Sequence, residues 1–81
     1  MGYHIKKIEK GNLGEFSKIK EEYDELHDAL QQKCKIMAAV ELSDLYGAME
    51  EFAANHFGLT MEDVKKMSDI TKRAFKDGSR K

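Results

Sequence analysis

Eighty-one residues make one small domain, near the size at which a single core is only marginally stable and needs a disulfide, a structural metal or a partner subunit. Cys34 is the only cysteine and no Cys/His cluster offers a structural zinc site, which excludes an intrachain disulfide, fits a reducing cytoplasm and leaves self-association as the support. No apolar run approaches the ~20 residues of a membrane span, no signal-peptide core opens the chain, and a net charge of −1 argues against a dedicated nucleic-acid binder.

Residues 1–11 form a short basic arm, read either as flexible or as an edge strand through Tyr3, Ile5 and Ile8. Gly11-Asn12-Leu13-Gly14 then breaks the chain ahead of a helix. Asn12 and Glu15 have capping-box spacing, while Gly14 and Ser17 are alternative starts. Phe16, Ile19, Tyr23, Leu26 and Leu30 recur at steps of three and four, which is one helix face. A second helix runs from about Lys35 to Phe57, with Met37, Val40, Leu45, Ala48 and Phe52 on a shared face. Gly58 before Leu59 predicts a left-handed stop. Thr60 with Asp63 starts a third helix, whose apolar side is Val64, Met67, Ile70, Ala74 and Phe75 and which Gly78 ends. Gln31–Lys35 holds no Gly or Pro, but an unbroken helix over 15–57 would be about 60 Å long, so a helical hairpin is expected.

Charge is unevenly placed. Residues 12–60 carry ten carboxylates against four lysines, between basic ends. On the second helix Glu41 and Asp44 fall about 60° apart, inside the apolar stripe, with Met37 and Ala48 between them. Buried carboxylates need a cation, and no Lys or Arg lies between Lys35 and Lys65, so either a metal or a distant basic side chain must neutralise them. The first helix adds Glu21, Glu22, Asp24, Glu25 and Asp28. Alone, this run reads as a solvated face. Packed antiparallel against Glu41 and Asp44, it becomes a cluster of hard oxygen ligands of the kind Mg²⁺ or Mn²⁺ prefers. Di-iron chemistry needs Glu-x-x-His motifs from two helices, and neither His4, His27 nor His56 completes one.

Glu21-Glu22-Tyr23-Asp24-Glu25 is EExxE and Glu41-Leu42-Ser43-Asp44 is ExxD, with fifteen residues between them. This pair of motifs resembles the MazG-like branch of the all-α nucleoside triphosphate pyrophosphohydrolases, over about residues 12–76, with a basic tail at 77–81. The small size resembles versions found in phages. The resemblance implies an all-α fold in which a helical hairpin plus a third helix complete a four-helix bundle by forming a homodimer or homotetramer. It implies a cytoplasmic hydrolase that binds Mg²⁺ (or Mn²⁺) through Glu22, Glu25, Glu41 and Asp44, with one of these or Glu21 orienting the attacking water. The products would be a nucleoside monophosphate and pyrophosphate. Thr71-Lys72-Arg73 is similar to a basic segment near the phosphates in this family, with Thr where Asn is common, and makes Lys72 and Arg73 substrate-contact candidates. Phe16, Tyr23, Tyr46 and Phe52 are available to a base, although core packing is the favoured reading for each. Two alternatives stand beside this reading: a non-catalytic helical dimerisation or regulatory module, and a relative that binds nucleotides without cleaving them.

Overall fold

The computed structural model describes residues 4–78; the start of the arm, including Tyr3, and the end of the basic tail, including Arg80, lie outside the described residues. Three helices follow one another: α1 (Phe16–Gln31), α2 (Lys35–Phe57) and α3 (Met61–Lys76). None of them is long and apolar enough to cross a membrane.

Each boundary has a local cause. At the start of α1 the expected Asn12 cap is not made. Glu15 is the N-cap and its side chain does not cap. Instead the Glu15 amide donates to the Asn12 carbonyl (3.0 Å) and the Asn12 amide to the Ser17 hydroxyl (3.1 Å). The helix ends at Gln31 with Gln32 as its C-cap, and the next residue, Lys33, is a non-glycine held at φ 59°. The Lys33 amide donates to the Leu30 carbonyl and the Cys34 amide to the Ala29 carbonyl, which satisfies carbonyls left over at the helix end and reverses the chain. The hairpin is therefore real, and a lysine makes the turn that glycine normally makes. Gly58 stops α2 at φ 65°. Thr60 and Asp63 form a reciprocal capping box at the start of α3, with bonds of 3.2 and 3.0 Å.

Helices α1 and α2 pack along their length as an antiparallel pair, Phe16 meeting Phe52 at one end while the Asn55 amide donates to the Gly14 carbonyl. The apolar core between them is small: Ala29, Ala48 and Ala53 are buried, and small side chains let the backbones approach. The largest fully buried side chains are acids, Glu41 and Asp28. This reverses the sidedness expected of α1. Its acidic side (Glu21, Glu22, Asp28) is buried, whereas Phe16, Tyr23 and Leu30 are 66%, 58% and 57% exposed.

The arm explains the reversal. Residues 4–14 form neither helix nor strand, and they run antiparallel beside α1, from His4 and Ile5 at Asp28 to Lys10 and Gly11 at Glu21. Gly11 passes so close to α1 that a Cβ there would fall on the Ser17 carbonyl and the Lys18 nitrogen. Helix α3 leans on α2 alone, has no buried residue, and leaves an apolar groove lined by Met49, Phe52, Val64 and Met67.

Candidate metal centre

Glu22 and Glu25 stand a turn apart on α1, as Glu41 and Asp44 do on α2, and the antiparallel pairing sets the two pairs against each other. Ligand atoms of Glu22, Glu41 and Asp44 lie within 4.8 Å of one another. The same holds for Glu21, Glu22 and Glu25, and for His4, Glu25 and Glu41. All five acids singled out in the two motifs thus join one contiguous cluster. Four of them, Glu21, Glu22, Glu25 and Asp44, line a cleft of about 480 Å³ with His4, Lys6, Lys10 and Lys18, while Glu41 is fully buried and does not line it.

The members differ in how they are satisfied. Glu21 accepts from the Gly11 amide (2.8 Å) and from Lys18 (3.1 Å) on one oxygen, and pairs with Lys10 (3.5 Å) on the other. Burial pushes its carboxyl up, but the Gly11 amide and the two lysines prevail and hold it below the ordinary range. Glu21 is accordingly the anchor of the arm, with both oxygens engaged. Asp28, which carried no role beyond the acidic run, is a second anchor. One of its oxygens accepts from His4 Nδ1 (2.9 Å), the Ile5 amide (3.1 Å) and Gln32 Nε2 (3.0 Å). Burial raises its carboxyl too, and those donors outweigh burial and lower it.

Glu25 behaves in the opposite way. Burial, then the neighbouring Glu41 and Glu22 carboxylates, push it from 4.5 up to about 7. Glu22 pairs with Lys18 through one oxygen (3.1 Å), while its other oxygen is buried with no hydrogen-bond partner. An orphaned buried carboxylate oxygen next to a carboxyl that resists ionisation is a set short of positive charge. Oxygen donors of this number and type fit a hard divalent ion.

Asp44 sits at the rim, not in the apolar stripe where helical spacing sets it. It is exposed, as is Val40 beside it, so burial on α2 centres on Glu41 and Ala48. Lys72 and Arg73 are exposed on α3 and do not line the cleft; both help to lower the carboxyl of Asp69 on the same helix. The cations that do line it are Lys6, Lys10 and Lys18, which no motif marks. Among the aromatic candidates, Phe16 and Phe52 pack edge to face at 6.2 Å, and Tyr23 and Tyr46 are exposed.

His4 is the residue that sequence reasoning set aside. Its Nε2 lies 3.2 Å from Glu41 Oε2 and 3.9 Å from Glu25 Oε1. It comes from the arm, twenty-four positions before Asp28, and no helical spacing could have pointed to it.

No protein-family model matches the chain, and neither the curated proteins nor the solved structures contain a match to it.

Proposed function

We propose that the chain is a subunit of a Mg²⁺-dependent nucleoside triphosphate pyrophosphohydrolase of the MazG-like kind, working as a homodimer or homotetramer. One observation carries the reading: carboxylates of two adjacent antiparallel helices cluster together, Glu22, Glu25 and Asp44 lining a cleft whose walls also hold lysines and Glu41 buried against them. Glu22, Glu25, Glu41 and Asp44 hold the ion, with Mn²⁺ as a substitute. A divalent ion there neutralises a polyphosphate and polarises its P–O bonds. Glu25 gives up its proton when the ion binds, because a carboxylate must be ionised to act as a ligand. Lys18, Lys6 and Lys10 face the phosphate chain. Carboxylate oxygens of the cluster orient a water at the α-phosphorus and accept its proton. The new P–O bond forms there as the α–β bridging bond breaks, and pyrophosphate leaves with the bridging oxygen.

Glu21, with both oxygens engaged, keeps the arm in place and is not the group that takes the proton. Lys72 and Arg73 lie away from the cleft of their own chain, so they contact substrate only by reaching a neighbouring subunit's site. The exposed side chains of Phe16, Tyr23, Leu30 and Ile70 supply the apolar surface over which such subunits associate.

A second reading has a specific observation behind it. Part of the acidic face already has partners inside the chain, Glu21 and Glu22 in Lys18, and Asp28 and Glu41 in the His4 ring. A purely structural helical module needs no more than that. Incubation with dUTP, dCTP, other nucleoside triphosphates and guanosine tetra- or pentaphosphate, each with Mg²⁺ and with chelator, separates the two. The enzyme reading requires pyrophosphate and a monophosphate product that vanish with chelator. Orthophosphate as the only initial product, or no turnover together with no Mg²⁺ binding, overturns it.

A further inference from the structure

The carboxylates leave one part of the cluster unexplained: an imidazole has been carried into it by the arm. Asp28 Oδ2 accepts from the Ile5 amide and from Gln32 Nε2 as well as meeting His4 Nδ1 at 2.9 Å. An oxygen receiving two N–H donors is an acceptor, so Nδ1 carries the proton it shares with Asp28. Nε2 is then the nitrogen turned to Glu41 Oε2 at 3.2 Å and Glu25 Oε1 at 3.9 Å. A buried carboxylate that fixes one ring nitrogen as donor while the other faces ionic oxygens is the outer-sphere arrangement of metal-ligating histidines. Glu22, which pairs with Lys18 through one oxygen, has its other oxygen buried with no hydrogen-bond partner beside Glu25 and Glu41, so the surroundings of this position are short of positive charge.

We propose that His4 Nε2, Glu25 and Glu41 form a second divalent-ion position beside that of Glu22, Glu41 and Asp44, with Glu41 common to both, and that it takes a first-row transition-metal ion in preference to Mg²⁺. The preference follows from the donors. Imidazole nitrogen suits transition ions, whereas Mg²⁺ favours an all-oxygen shell and retains its water. Asp28 is the positioning residue for the imidazole, and the arm is the element that delivers it. This rests on the carboxylate cluster being an ion site, as in the proposed function, and adds the nitrogen ligand and the ion class.

Calorimetric titration of the full chain, stripped of metal, with Co²⁺ and separately with Mg²⁺ tests it, in the parent and in His4→Ala. His4 lies on the arm outside the helices, so the variant keeps the hairpin. The expected result is at least about a tenfold loss of Co²⁺ affinity in His4→Ala with Mg²⁺ affinity changed less than about threefold. The Co²⁺-loaded parent should also show a paramagnetically shifted, exchangeable imidazole N–H resonance that His4→Ala lacks. Equal Co²⁺ affinity in both proteins, with no such resonance, overturns the nitrogen ligand while leaving the carboxylate site standing. Tighter Co²⁺ binding by His4→Ala also overturns it, because His4 then occupies the position as a competing cation. If neither ion binds either protein, this inference and the enzyme reading fail together.

Discussion

Glu25→Gln isolates the energetic consequence of clustering these acids. In the folded chain the Glu25 carboxyl is raised from 4.5 to about 7. It binds its proton more tightly folded than unfolded, so its contribution to stability is fully present below pH 4.5 and is lost as pH rises through about 7. A shift of that size corresponds to at most about 3 kcal/mol, an upper bound because Glu25 lines an open cleft and its proton is shared with the neighbouring Glu41 and Glu22 carboxylates. Glutamine keeps the shape and has no charge to form. With chelator present, parent and variant should have similar stability at pH 4.5. By pH 8 the variant should be the more stable by up to about 3 kcal/mol, a difference on the order of 10 °C in Tm for a domain of this size. Thermal melts of both proteins at half-unit pH steps provide the difference curve. Saturating Mg²⁺ should then raise the Tm of the parent and do less for the variant, since an ion stabilises only the state that binds it. A flat difference curve refutes the reasoning. So does a variant less stable at every pH by roughly 3–5 kcal/mol, the signature of a broken buried ion pair.

Gly11→Ala puts a methyl onto the backbone of Ser17 and Lys18, so the arm must lift and the Gly11–Glu21 bond must break. The expected loss is about 1–3 kcal/mol, read from the urea midpoint at unchanged m, and an unchanged midpoint would show that the arm is not docked. Lys33→Gly should stabilise by on the order of 1 kcal/mol, because φ 59° strains a lysine but not a glycine; a lower Tm would place the turn elsewhere. If Lys72 and Arg73 serve a neighbouring subunit's site, Lys72→Ala and Arg73→Ala should lower kcat/KM for the preferred nucleotide while metal affinity holds. An unchanged kcat/KM removes α3 from the site. Light scattering should find a mass above that of one chain, and replacing Phe16 and Tyr23 by Ser should reduce it; a concentration-independent monomer counts against assembly.

The helix limits were legible where the signal is local. Gly58, Thr60 and Asp63 mark the α2–α3 junction with side chains whose chemistry acts within four residues. The α1–α2 turn was legible only through length, because its left-handed residue is a lysine and carries no mark of the conformation. The sidedness of α1 was legible only in part: its acids were expected to meet Glu41 and Asp44, but not to be buried while Phe16, Tyr23 and Leu30 stay exposed. Its sequence holds two opposed faces, Phe16, Ile19, Tyr23, Leu26 and Leu30 on one, and Glu21, Glu22, Glu25 and Asp28 on the other. Hydrophobicity favours burying the first. The structure buries the acids because the arm covers them, and the contacts responsible, His4 to Asp28 and Gly11 to Glu21, join residues far apart in the chain. The meeting of the two acidic motifs was legible because a spacing of three on each of two antiparallel helices is a regular pattern. Repulsion within the cluster was foreseeable as well, but not that the proton would rest on Glu25, which depends on its tertiary neighbours Glu41 and Glu22.

The same buried side contains acids of two kinds, and the difference bears on what they are for. Glu21 and Asp28 are surrounded by donors, the Gly11 and Ile5 amides, Lys18, His4 and Gln32, and their carboxyls lie below the ordinary range. They hold the arm to the helix, Glu21 through both oxygens and Asp28 through one, its other oxygen being buried with no hydrogen-bond partner. Glu22 and Glu25 have fewer donors: Glu22 has Lys18 on one oxygen and none on the other, and Glu25, facing the Glu41 and Glu22 carboxylates, resists ionisation. Apolar side chains of similar volume in their place would often be neutral or stabilising, and an 81-residue chain has little stability to spare. Stability therefore does not account for this pair, while a bound cation would relieve both defects at once. The donors that fasten the arm are also those that aim His4 at Glu25 and Glu41, so loosening the arm and weakening binding at the imidazole-containing position should prove to be one perturbation.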